Sequence, residues 1–309
     1  MSQGNTQSSN VQTTGHVWDG DLQEYNNPLP AWWLWAFYLT IIFSITYWVM
    51  YPAWPIGKGF TTGMVTITYK NDKGVEKTTH WSTRALLMKD LQEAREKQKP
   101  YFDKVAAVPF EEIAKNPELS NFVASAGKVL FSDNCAACHM SGGQGKRGFA
   151  PSLVDDDWIY GGTYDKIQTT ITGGRHGIMP AKGGADLNGG EIDSLANYVL
   201  SLSGNVMDAA KVKAGDELFH GKGLCFSCHG ADGKGNKDIG SANLTDKIWL
   251  WADVKEGGPA DKNVAAVKAV ITSGLNKGVM PTWGGRLSAN QIKLLTVYVH
   301  DVLGGGSKK

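Results

Sequence analysis

Cysteine is scarce in this chain. There are four among 309 residues, falling as two close pairs, too few to staple a chain of this length with disulfides. Neither sign of charge dominates: 31 Lys and Arg stand against 30 Asp and Glu, a net charge of +1. That balance excludes a strongly basic nucleic-acid binder and an acidic disordered chain. The mean hydropathy of −0.25 excludes a multi-span membrane protein. No Lys or Arg precedes Lys58, and no small-residue cleavage site follows the first apolar run, so that run does not read as a cleavable signal peptide. Glycine is the opposite case, with 38 residues, about 12% against a usual value near 7%, which points to many loops.

Charge is absent altogether from Tyr25 to Gly57. The core of that stretch, Ala31 to Tyr51, is long enough as a helix to cross about 30 Å of hydrocarbon. Trp32, Trp33 and Trp35 crowd one end, and Tyr47, Trp48, Tyr51 and Trp54 the other, as in an interfacial aromatic belt. Pro28 and Pro30 precede the run, and Pro52 and Pro55 stop it. It reads as an uncleaved anchor. Lys58 is the first basic residue and lies after the span, so charge bias alone would keep the bulk of the chain in the cytoplasm.

The layout that follows is a tail at 1–28, an anchor at 29–54, a linker at 55–120, and two repeats at 121–206 and 207–309. Residues 1–20 are polar and expected to be disordered before a short ordered stretch. In the linker, alternation at Val65, Ile67 and Tyr69 ahead of Asn71-Asp72-Lys73-Gly74 suggests a hairpin. Residues 82–107 are rich in helix formers, with Ser82 as N-cap and Pro100 expected to break or kink the helix. A second short helix is expected from Pro109 to Lys115. This linker would lift the rest off the membrane.

The remainder is an internal repeat. The first copy runs Gly127…Phe131, Cys135-Ala-Ala-Cys138-His139, Leu153, Trp158, Met179-Pro180 and a terminal helix with Tyr198. The second runs Gly215…Phe219, Cys225-Phe-Ser-Cys228-His229, Leu244, Trp249, Met280-Pro281 and a terminal helix with Tyr298. His139 and Met179 are 40 positions apart and His229 and Met280 are 51, which fits an insertion around Val254–Asn263.

Cys-x-x-Cys-His is the attachment signature of c-type haem. Cys135, Cys138, Cys225 and Cys228 would form thioethers to two covalently bound haem c groups, with His139 and His229 as axial iron ligands. Met/His ligation is a common cytochrome c arrangement, and Met179 and Met280 stand in Gly-rich loops suited to the sixth position. Chain order pairs each Met with the His of its own repeat, but exchange across the repeats satisfies the same count. His176 is the competing donor near Met179 and reads as an exposed loop residue. Met140 and Met207 read as packing, and His220 and His300 as structural or solvated. A zinc ribbon would place its cysteine pairs about 15–20 residues apart, whereas Cys138 and Cys225 are 87 apart. Gly127 with Phe131, and Gly215 with Phe219, each share a helix face, and with Tyr198 and Tyr298 on the terminal helices the pattern resembles the crossed first and last helices of class I cytochrome c. Leu153 and Leu244 would pack on haem, and Trp158 and Trp249 either hydrogen-bond propionates or pack. Iron with two protein ligands has no open position for substrate, so such centres pass electrons. The fold expected is mainly α: one transmembrane helix, a linker with a helix, and two tandem class I cytochrome c domains.

The segment before the anchor is more specific. Gly15-His16-Val17-Trp18-Asp19-Gly20, then Glu24-Tyr25-Asn26-Asn27-Pro28-Leu29-Pro30-Ala31-Trp32-Trp33 resembles the dihaem subunit (subunit III, CcoP/FixP type) of cbb3-type cytochrome c oxidase. Asn26 replaces the family's Asp, and Asp21-Leu22 stands where the family usually has Ile. The resemblance covers nearly the whole chain. It implies attachment of haem c outside the cytoplasmic membrane of a bacterium, hence a single-pass inner-membrane protein with periplasmic haem domains, against the weak charge bias. It implies a relay of electrons from a periplasmic cytochrome c to a monohaem c subunit and on to the catalytic haem–copper subunit, where oxygen is reduced with proton pumping. No catalytic residue belongs to this chain, and no nucleic acid is expected as partner. The competing readings are an anchored dihaem cytochrome serving another dehydrogenase or reductase, and a dihaem peroxidase, which would need a displaceable ligand.

Overall fold

The computed structural model describes residues 12–71 and 74–306, which divide at Lys97 into two compact units. In the first, strands β1 (Thr13–Trp18) and β2 (Leu22–Tyr25) pair antiparallel, with Trp18 opposite Leu22. Asp19 and Gly20 turn between them at positive φ. The expected disorder of residues 1–20 therefore fails over 13–18, where Thr, Val and Trp favour extended chain; residues 1–11 lie outside the described residues. Helix α1 (Ala31–Met50) follows, with none of its residues buried. A soluble core helix of this composition would be covered, so its length and apolar, outward-facing surface suit lipid.

Two short hairpins come next: β3 (Pro55–Ile56) with β4 (Gly59–Phe60), and β5 (Thr66–Lys70) with β6 (Glu76–His80). The second is the hairpin expected from the Val65–Tyr69 alternation; Asp72 and Lys73 lie outside the described residues. Helix α2 (Thr83–Ala107) starts where the Ser82 hydroxyl accepts from Ala85 N–H. It runs through Pro100 rather than breaking there. The carbonyl that Pro100 leaves unpaired belongs to exposed Glu96, where water can satisfy it.

The second unit is all helix apart from one two-stranded pair. Helix α3 (Phe110–Lys115) leads to α4 (Pro117–Asn134), whose N-terminal amides on Glu118 and Leu119 are capped by the Asn116 side chain with Pro117 at the first position. Then come α5 (Ala136–His139), α6 (Tyr164–Gly173), β7 (Ile178–Met179), α7 (Gly189–Leu202), α8 (Ala209–His220), α9 (Phe226–His229), α10 (Ala260–Ser273), β8 (Leu275–Asn276) and α11 (Ala289–Val297). A five-residue π-helical turn, Tyr298–Val302, continues α11. Asn188 with Glu191 and Ser288 with Gln291 form capping boxes that fix the starts of α7 and α11.

These helices form two cores that do not follow the repeats. One gathers Leu119, Val123 and Phe131 of α4, Ile167 and Ile171 of α6, and Ile292, Leu295 and Tyr298 from the chain's last helical stretch. The other gathers Leu195, Ala196 and Leu200 of α7, Phe219 of α8, and Val267 and Ile271 of α10. The terminal helices are thus exchanged. Gly127 faces Tyr298, where a Cβ would lie 2.8 Å from the tyrosine's own Cβ. Gly215 faces Tyr198, with the corresponding distance 2.6 Å. The Phe131 and Tyr298 rings are 5.6 Å apart and the Tyr198 and Phe219 rings 5.3 Å. The predicted crossing of a Gly/Phe helix with a Tyr helix is present, but each crossing joins different repeats. The chain between α7 and α8, residues 203–208, is short, and elements so joined normally pack as neighbours.

The glycine contacts make a contrast that stability measurements can read. Gly127→Ala and Gly215→Ala should each destabilise the fold by about 1–3 kcal/mol, because the added methyl overlaps a buried neighbour. Gly173→Ala, at a helical site with nothing within 4 Å, should stabilise by about 0.5–1 kcal/mol. Urea denaturation of the haem-loaded chain checks both signs.

Candidate haem sites

Each Cys-x-x-Cys-His segment is a single tight turn hung on the end of a helix. Cys135 is the C-cap of α4, donating its N–H to Phe131 O at 2.8 Å, and α5 carries Cys138 and His139. In the second copy α9 carries Cys228 and His229, and His229 N–H returns to Cys225 O at 3.0 Å. Both loops then turn back identically. Gly145 N–H donates to His139 O and Gly235 N–H to His229 O; Leu153 N–H donates to Gly143 O and Leu244 N–H to Gly233 O. Gly145 and Gly235 both have positive φ and lie hard against the backbone at 151–152 and 241–242, so the loop can close only with glycine there.

The imidazoles are oriented alike. Nδ1 of His139 donates to Pro151 O at 2.9 Å, and Nδ1 of His229 to Ala242 O at 2.9 Å. That bond fixes the tautomer and leaves Nε2 as the free donor to a metal. His139 is only 8% exposed. Burial lowers the pKa of both histidines, which keeps them neutral. Burial also pushes the Cys135 thiol up to about 11 and raises that of Cys225, while Cys138 and Cys228 are exposed. Neither pair forms a disulfide. Among the described residues no three His, Cys, Asp or Glu converge on a cage, which disfavours the zinc reading.

The residues fit haem. Trp158 Nε1 is the single buried side-chain polar atom among the described residues that lacks a hydrogen-bond partner, which favours the propionate-bonding alternative for Trp158 over packing alone. Leu153 and Trp158 line the first core beside Cys135, as Leu244 and Trp249 line the second beside Cys225.

The two methionine loops cross between the halves. Strands β7 and β8 pair, with Met179 opposite Leu275, and Arg175 bridges to Met280 by two backbone bonds. Met280 packs on the first core, with Cys135, Leu153 and Trp158. The chain beyond it stays there, Trp283 N–H donating to Ile171 O and Gly284 N–H to Thr172 O. The chain beyond Met179 goes the other way: Ala185 and Leu187 join the second core, and Gly183 lies against Gly223 O, just ahead of Cys225. His176 points elsewhere, its Nε2 within 2.7 Å of Asn276 Oδ1. His300 is a packing residue, stacked on Tyr164 at 3.8 Å and bonded to Asp301.

Sequence reasoning missed the residues that join the halves. Arg175 lies over the Tyr160 ring at 4.4 Å, and that ring presses on Gly240 in the second haem loop. Lys166 pairs with Asp238 at 2.8 Å, and Arg147 with Asp253 at 3.1 Å. These contacts pair unlike positions of the two repeats, so the repeat pattern carries no signal for them. Asp157 is also at this junction. Burial, with Asp246, Asp155 and Asp156 adding to it and Lys237 opposing, raises Asp157 to about 6; Asp246 is raised too, chiefly by burial.

Two Cys-x-x-Cys-His turns, each on its own helical core, follow an apolar helix, the pattern of a tandem c-type cytochrome. Comparison with known proteins narrows this. The family profile for the N-terminal domain of cytochrome oxidase-cbb3, FixP, matches residues 10–58, and that for cytochrome c oxidase, cbb3-type, subunit III matches residues 123–199 and 210–299. The chain is 46% identical over 305 residues to a cbb3-type cytochrome c oxidase subunit FixP of Azorhizobium caulinodans, covering 95% of this chain and 93% of that one. It is 42% identical to the FixP subunit of Bradyrhizobium diazoefficiens, covering 96% of each chain. It is 39% identical to the CcoP subunit of Cereibacter sphaeroides, covering 95% of each. This chain belongs to the FixP/CcoP family, subunit III of cbb3-type cytochrome c oxidases. It is a haem c-binding subunit with one N-terminal helix suited to anchoring it in the membrane.

The half-buried Asp157 carboxyl gives a pH dependence with a definite sign. Between 3.8, the ordinary value, and about 6, folded Asp157 holds a proton that the unfolded chain releases. Its contribution to stability therefore falls as pH rises through that window and stays lost above it. Asp157→Asn should raise the urea midpoint at neutral pH relative to the native chain and lose that advantage below pH 3.8.

Proposed function

We propose that this chain is the dihaem electron-transfer subunit of its oxidase, accepting electrons from a periplasmic cytochrome c and delivering them to a monohaem c subunit, next in line to the catalytic haem–copper subunit. What carries the reading is the combination of a FixP-type anchor segment with two complete Cys-x-x-Cys-His turns in one chain. Haem c, when bound, supplies one-electron transfer between ferric and ferrous iron. The chain's residues would do the rest. Cys135 and Cys138 would hold one group and Cys225 and Cys228 the other. His139 and His229, fixed by their Nδ1 bonds, would each present Nε2 to iron. Trp158 would donate its orphaned N–H to a propionate. With both iron faces taken by protein, the sites would exclude substrate, so this subunit would relay electrons and leave oxygen reduction and proton pumping to its partner. Residues 58–309 would lie in the periplasm and the tail ahead of the anchor in the cytoplasm.

The methionines would serve in exchange: Met280 for the group held by His139, and Met179 for the group held by His229. Met280 packs against the same core as Cys135 and Trp158, which favours this over pairing within a repeat.

Two measurements test these statements. Purification of the tagged chain from native membranes in mild detergent should bring down haem b with haem c, and cyanide-sensitive oxygen uptake. Haem c alone from an intact preparation would instead mean a relay serving another dehydrogenase or reductase. For the exchange, a chain carrying Cys135→Ser and Cys138→Ser retains one haem. In that background Met179→Ala should abolish the thioether–iron charge-transfer band and Met280→Ala should leave it. The reverse result would mean ligation within each repeat.

A further inference from the structure

The stretch just after the span does not leave the membrane as a free linker. Met64 N–H donates to Val49 O at 3.2 Å and Met50 O at 3.0 Å, and Val65 N–H donates to Met50 O at 2.9 Å. These bonds satisfy carbonyls at the end of α1 that the helix itself leaves open. The return is tight. Gly63 has φ +72°, and a Cβ there would lie 2.5 Å from Met50 O. Between departure and return stands the β3–β4 hairpin. Thr61 N–H donates to Trp54 O at 2.8 Å, and the Thr61 hydroxyl accepts from Trp54 N–H at 3.0 Å. The Trp54 ring meets that of Trp48, six residues back in α1, edge to face at 4.7 Å. Trp54 therefore folds back along the flank of the helix's last turns, which puts the base of the hairpin at their level.

What the hairpin presents there is apolar. Trp54 is 51% exposed, Ile56 64%, Phe60 56% and Met64 71%. From Pro52 to Tyr69 only Lys58 carries charge, and it sits at the hairpin tip. With Phe60 opposite Pro55 and Ile56 opposite Gly59, Ile56 and Phe60 lie on opposite faces of the hairpin, so both faces offer water large apolar side chains, a cost that a folded protein normally avoids. Past half-buried Tyr51 and Pro52 the exposed apolar surface resumes on α1, where Trp48, Val49 and Met50 are also exposed. Trp and Phe at a helix end, with one Lys able to reach phosphate, are the residues that favour the headgroup boundary of a bilayer.

We propose that residues 54–64 form a lipid-inserted wedge: the β3–β4 hairpin lies in the headgroup–acyl boundary of a phospholipid leaflet, Lys58 pairs with phosphate, and the wedge sets the angle at which the chain leaves the membrane. The inference rests on the reading of α1 as a span. Its occupant is lipid rather than another subunit because the surface continues the lipid-facing belt of α1.

The test uses the complex obtained in mild detergent and reconstituted in vesicles of phosphatidylcholine and phosphatidylglycerol. Ile56→Cys and Phe60→Cys carry a nitroxide label, with the unsubstituted complex as the background to subtract. Collisional access to lipid-soluble oxygen is compared with access to a water-soluble nickel chelate. Ile42→Cys, mid-span, is the immersed reference. The wedge predicts several-fold greater access to oxygen than to chelate at positions 56 and 60, at a depth shallower than 42. Free access to chelate at 56 and 60, with 42 immersed, would overturn the proposal and leave an aqueous loop. Immobile labels reached by neither reagent would overturn it in favour of a protein contact. A label at 42 open to chelate would instead overturn the span, and the wedge with it.

Discussion

Where Gly127 meets the ring of Tyr298, and Gly215 that of Tyr198, two helices approach closely enough that no other side chain fits between them. The rest of the haem-binding unit depends on these two contacts. They set α11 across α4 and α7 across α8, and so place the cores against which the Cys-x-x-Cys-His turns close. The same exchange appears one layer out. Gly143, in the first haem loop, packs on Leu303 near the end of the chain, and Gly233, in the second, packs on Leu202 of α7. The methionine loops must then cross between the halves, because each leads from one core to the terminal helix of the other.

The crossing connections also explain why so little polar chemistry is needed to keep the halves together. Lys166–Asp238 and Arg147–Asp253 are exposed ion pairs, a type that contributes little on its own. Tyr160, held between Arg175 and Gly240, is a better-defined contact. Two covalent passages, Gly174–Ala185 and Gly274–Leu287, do more than any of these, since the halves cannot separate without pulling apart the paired strands β7 and β8. Against this background the junction tolerates an unfavourable group: Asp157 sits among Asp155, Asp156 and Asp246, where burial works against its charge.

Local features were legible in the sequence to the extent that they rest on local chemistry. The uncharged run gave the apolar helix α1, Ser82 the start of α2, and the Pro109–Lys115 stretch the short helix α3. The Gly/Phe and Tyr pattern correctly foretold a crossing of first and last helices. It could not say which first helix meets which last, because both repeats carry the same complementary residues and the choice is made by connection length. Of the break or kink expected at Pro100 the break does not occur: the carbonyl freed by the proline belongs to exposed Glu96 and is open to water. The β1–β2 hairpin was hidden by its polar composition; the strands bury nothing, so no period-2 apolar pattern announces them.

The exchange makes one half an insert inside the other. Helices α7, α8, α9 and α10 occupy the continuous stretch 189–273, whereas the first half is assembled from α4, α5 and α6 before it and α11 after it. During synthesis the second half can therefore close as soon as its own residues have emerged, while Cys135, Cys138 and His139 must wait on an open core for Ile292 and Tyr298. The attachment turn that is made first is enclosed last. Loss of the final helix would strip the core from the earlier-made turn while leaving every helix of the later-made half intact.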